Sequence, residues 1–108
     1  MEGKKYVEML KNKSRAPIYA AMRQALCYYL FSNNVTGFII KEVMHMPKSN
    51  VYFSINQARD MLEVGDDIMQ RAYEEVQRHK IRVVPVTAEG DILSKHIGYR
   101  MTIDNIIY

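Results

Sequence analysis

The chain is 108 residues long and 48 % hydrophobic, the size and apolar content of one domain with one core. Its net charge of +3 is unevenly placed: residues 1–62 carry nine basic and four acidic side chains, residues 63–108 six and eight, as expected of a polyanion-binding face with a solvated or partner-facing back. The single Cys27 excludes an internal disulfide and fits a reducing compartment, and no apolar run reaches the length of a membrane span or forms a signal-peptide core, so a soluble cytoplasmic protein is expected.

Val7 and Leu10, one turn apart, predict a short leading helix that gives way to the basic connector KNKSR. Pro17 suits a first helical turn, where its missing N–H has no partner to lose. From there Ile18, Met22, Ala25, Leu26, Tyr29 and Leu30 recur at helical spacing and predict a helix over 17–31. Ser32, Asn33 and Asn34 end it. A short helix over 36–44 follows, with Thr36 as N-cap and Ile39, Ile40 and Val43 on its buried side. Met46, Pro47, Lys48 and Ser49 make the turn, and Val51, Ile55, Ala58 and Leu62 define the next helix, ending near Val64 and Gly65. A fifth helix begins at Asp66 and Asp67, with Ile68, Ala72 and Val76 on one stripe and Arg78, His79 and Lys80 at its negative end. Beyond Ile81 the character changes. Ile81, Val83, Val84 and Val86 are β-rich, TAEGD reads as a turn and YRMTI alternates, so a hairpin or small sheet is expected.

No catalytic constellation has the spacing its chemistry needs. His45, His79 and His96 stand apart with no second cysteine, which argues against a zinc site, and the five glycines form no phosphate-binding motif, so no cofactor or metal is expected. Asp66–Asp67 and Glu74–Glu75 are adjacent pairs that diverge by about 100° on a helix, poor for acid–base work and good for solvent. Cys27 lies on the most apolar helix, where an inert buried thiol is expected. Recognition remains. Two short helices joined by a tight turn at Pro47 predict a helix-turn-helix whose second helix enters the major groove of double-stranded DNA. Its opening residues are Lys48, Ser49 and Asn50. Lys donates to guanine O6 and N7, Asn brackets adenine and Ser adapts to either. The competing reading of the same residues is a turn plus a helix cap, with Ser49 or Asn50 capping.

Taken in order, KYVEMLKNKSR, MRQALCYYL, IIKEVMHMPKSNVYFSINQA and a further helix after EVGDD resemble the C-terminal DNA-binding domain of the DnaA bacterial replication initiators over roughly residues 5–80. Arg23, Gln24, Tyr29 and Leu30 follow that family's long-helix motif, and Ile39, Val43 and Val51 its core positions. Pro47, Lys48, Ser49 and Asn50 stand where the family has Asp, His, Thr and Thr, with Val51 alone identical. The resemblance implies a mainly α fold, a helix-turn-helix bundle of the Trp-repressor or initiator type. In it Lys48, Ser49 and Asn50 face the major groove, and Lys13 and Arg15 meet phosphates or the minor groove. The changed trio argues against the family's own replication-origin box, and without the ATPase module origin opening is not expected.

These readings combine into a helical DNA-binding domain over 1–80 and a β appendage over 81–108, acting as a bacterial or phage transcription regulator or accessory replication factor, with Lys13, Arg15 and Lys41 on phosphates. The appendage's apolar strands, with Ile103, Ile106, Ile107 and Tyr108, either pack on the helices or pair with a second copy through an edge strand. Two rivals stay open. In a winged-helix register, residues 66–80 are the recognition helix, with Asp66, Gln70 and Arg71 facing DNA, and 81–103 the wing. In the other, eight tyrosines and eight methionines serve a protein-interaction surface.

Overall fold

The computed structural model describes residues 1–12, 14–87 and 96–108. Among them the chain forms five helices followed by a small antiparallel sheet: α1 (Gly3–Lys11), α2 (Pro17–Ser32), α3 (Gly37–Met44), α4 (Lys48–Glu63), α5 (Asp67–Arg78), β1 (Ile81–Thr87), β2 (His96–Ile103) and β3 (Ile106–Ile107). The expected helical bundle with a small C-terminal sheet is therefore the fold. The predicted TAEGD turn falls largely outside the described residues.

Pro17 opens α2 in its first turn, and Thr36 caps α3 by accepting from the Ile39 N–H at 3.4 Å. Three helices stop by the same device. Asn34, His45 and Gly65 take positive φ, and the next residue's N–H returns to a carbonyl five residues back: Val35 to Leu30, Met46 to Lys41, Asp66 to Met61. At His45 this left-handed residue turns the chain and Pro47, extended at φ −60°, starts α4 one residue later. The turn is thus His45–Met46–Pro47, shorter than the sequence suggested, and Lys48 and Ser49 already belong to the helix.

Helix α2 is central, its Ala21, Met22, Ala25, Leu26, Cys27 and Leu30 buried against α4 and α5. Ile18, expected in that stripe, lies too near the helix start to be covered and is exposed. In α5 the buried stripe is Met69, Ala72 and Val76, not Ile68, which is exposed. Asp66 fixes this register by capping the Met69 N–H at 2.9 Å, so Met69, three and seven positions before Ala72 and Val76, turns inward.

The strands run in the order β1-β2-β3. Asp104 and Asn105, both at positive φ, form the two-residue turn between β2 and β3, the conformation a type I′ hairpin requires. Met101, Ile103 and Tyr108 join the same core as the helices, while Ile106 is half-buried and Ile107 exposed. The sheet is seated on α3, where Glu42 accepts the Tyr99 N–H, and its short third strand meets α1.

Candidate nucleic-acid interface

Helix α4 begins without a side-chain cap: Pro47 occupies the N-cap position and has no hydroxyl or carboxylate to offer. The capping role considered for Ser49 and Asn50 is absent, because both lie inside the first turn, past the position from which a side chain can reach back. The leading N–H groups of α4 are left at the positive end of a 16-residue helix, next to the exposed side chains of Lys48, Ser49 and Asn50. Val51, Ser54, Ile55 and Ala58 form a buried face opposite Ser49, with Lys48 and Asn50 at its two borders. From Lys48 to Arg59 the helix carries no carboxylate. The nearby Glu42 on α3 is engaged by the Tyr99 backbone.

Asn12, Ser14 and Ala16, between α1 and α2, are held by hydrogen bonds. Ser14 N–H donates to Asn12 Oδ1 at 2.9 Å and Ala16 N–H to Ser14 Oγ at 3.2 Å. From α2, Arg23 donates to the Asn12 carbonyl at 2.6 Å and the Ser14 carbonyl at 3.5 Å, fastening the connector to the bundle. Arg23 also joins Leu10, Lys11, His45, Pro47 and Asn50 around a cavity of about 590 Å³, and lines a second of about 290 Å³ with Gln24, Asn50 and Phe53. Lys11 and Arg23 thus share one rim with the start of α4, and Arg23 ties the connector to it. Arg15 is exposed beside that tether. Lys13 lies outside the described residues. Lys41 sits on α3 with its ammonium 5.6 Å from the centre of the exposed Phe38 ring.

Sequence reading missed Lys11 and Arg23 as members of this rim, because their convergence depends on segments meeting across the connector. It also missed the exposed aromatic residues Phe38, Tyr52 and Phe53. Helical periodicity did carry a signal for the last two: Tyr52 and Phe53 fall off the Val51–Ile55–Ala58 stripe.

Cys27 is fully buried with its sulfur 3.9 Å from Met46 Sδ, and burial pushes its thiol up to about 12. A thiol reagent at mildly alkaline pH should leave the folded protein unlabelled and modify Cys27 rapidly once denaturant is added; fast labelling of the folded protein would show that the α2–α4 packing opens. Among the described residues no three His, Cys, Asp or Glu side chains gather as a metal site would need, and no helix is long and apolar enough to cross a membrane. Comparison with protein-family models, curated proteins and solved structures finds no match.

Proposed function

We propose that this chain is a nucleic-acid-binding helix-turn-helix domain and, more narrowly, that it binds double-stranded DNA sequence-specifically, with the first turns of α4 in the major groove. It would serve in the cytoplasm as a transcription regulator or accessory replication factor of initiator-like descent. The observation that carries the reading is the uncapped, carboxylate-free start of α4, with Lys48, Ser49 and Asn50 exposed on it. The basic connector, tied to Arg23 of that rim, supplies phosphate contacts through Arg15 and, by sequence, Lys13; Lys11 and Lys41 add to them.

The winged-helix register is less well supported. Helix α5 opens with Asp66 and Asp67, its cap is already filled by Asp66, and its most intimate packing is against α2, while the sheet that would be its wing is seated on α3. A protein-interaction surface draws its support from the exposed Phe38, Tyr52 and Phe53, but the lysines among them suit an anionic ligand better. Pairing of β1 edges between two copies is a secondary proposal, and exposed Arg82 and Pro85 on that edge weigh against it.

Binding to duplex DNA should weaken steeply with salt, and alanine at Lys13, Arg15 or Lys41 should each lower the slope of log affinity against log salt by about one. Titrations at several salt concentrations test this, and a salt-independent or undetectable complex would overturn the reading.

A further inference from the structure

On α4 each residue turns about 100°, which places Phe53 about 40° from Ser49 and about 60° from Asn50, in the middle of the face assigned to the groove. Phe53 is 62 % exposed and lines the same cavity as Asn50, Arg23 and Gln24. Two other exposed aromatics of α3 and α4 are already engaged. Tyr52 lies over Gly37 of α3, where a Cβ would stand 2.5 Å from the Tyr52 hydroxyl, so the glycine makes room for the ring. Phe38 carries the Lys41 ammonium. Phe53 has no ring or cationic partner among the described residues.

A phenyl ring has no hydrogen-bonding group, so on a major-groove edge it can discriminate only through apolar contact, and the thymine C5-methyl is the one apolar group that edge presents. Asn50 and Phe53 are separated along the helix by about 4.5 Å, close to one base step of about 3.4 Å. We propose that Phe53 is a specificity-determining residue that packs on a thymine methyl beside the base bracketed by Asn50. Its ligand is then a duplex containing adjoining adenine and thymine positions. This rests on the reading of α4 as a duplex-DNA recognition helix.

The test uses the full chain and a duplex selected by it from a random pool. Each thymine is replaced in turn by deoxyuridine, which removes only the methyl, and affinity is measured by fluorescence anisotropy for the wild type, Phe53→Ala and Phe53→Leu. One position should weaken wild-type binding about four-fold, the effect of one buried methyl-sized group, and should have no effect on Phe53→Ala. Phe53→Leu should keep part of it. Other thymines should respond equally in both proteins. Selection of a duplex followed by identical responses of wild type and Phe53→Ala at every thymine would overturn the role of Phe53 while leaving DNA binding in place. Failure to select any duplex would overturn both readings. Tighter binding of the single strand, abolished by Phe53→Ala and indifferent to the methyl, would instead make Phe53 a stacking platform.

Discussion

Alanine at Lys48, Ser49 and Asn50 together is expected to leave the fold intact and to relax site preference by about 1–3 kcal/mol for each base that is no longer read. All three side chains are exposed and none caps α4, so their removal breaks no intramolecular bond of the helix start. Alanine is the better helix former, and a lysine at the positive end of a helix is mildly unfavourable, so the thermal midpoint should hold or rise slightly. Removing all three readers would take away much of the roughly 4–10 kcal/mol that separates specific from non-specific duplex binding. Residual binding should therefore persist, salt-sensitive and nearly indifferent to sequence. Competition between the selected duplex and a scrambled one measures the ratio. If the triple variant keeps its preference while alanine at Asp66, Gln70 and Arg71 destroys it, the reading helix is α5.

Most of this fold is local, and local patterns carried it into the sequence. Pro17, Thr36, Asn34 and Gly65 punctuate α2 to α5, and Val51, Ile55 and Ala58 fix the inward face of α4 and hence its outward one. Ile68 was misplaced because periodicity alone does not choose between two adjacent apolar residues; the Asp66 cap chooses Met69. What could not be read was any relation that depends on distant segments meeting. Arg23 reaching back to Asn12, Glu42 taking the Tyr99 N–H, and the seat of the sheet on α3 join residues 11 to 57 positions apart. The basic rim was legible in kind, since its lysines and arginines lie in the first half, but not in membership.

His79 is where the sheet is tied to the helices, and removing it should cost more than any surface change. It was expected at the charged end of α5. Instead the helix stops at Arg78, and the His79 side chain is turned inward, 3 % exposed, stacked on Tyr6 of α1 with ring centres 4.3 Å apart. Its Nδ1 meets Asp104 Oδ2 at 2.5 Å and its Nε2 meets Glu75 Oε1 at 3.3 Å. Glu75 in turn meets Arg78 at 3.2 Å and the Met1 amine at 3.5 Å. Asp104 also accepts the Lys80 N–H at 2.8 Å, and Gly3 lets α1 come this close, since a Cβ there would stand 2.6 Å from the Asp104 carboxylate. His79→Ala empties a buried site and takes one partner each from Asp104 and Glu75, which keep their others, so a loss of about 2–5 kcal/mol in urea unfolding is expected, a large part of a typical domain's stability. Asp104→Asn preserves shape and should cost about 1.5–3 kcal/mol, the worth of a charge-assisted hydrogen bond. Its pH dependence separates the two contributions. The His79 and Lys80 hydrogen bonds hold the Asp104 carboxyl below its ordinary value of 3.8. Between those values the unfolded chain binds the extra proton, so this stabilisation is complete above the ordinary value and disappears as pH falls through the lowered one. The wild type should lose stability on that acid limb more steeply than Asp104→Asn. Equal stability and parallel acid limbs would mean that Met101, Ile103 and Tyr108 hold the sheet by apolar packing alone.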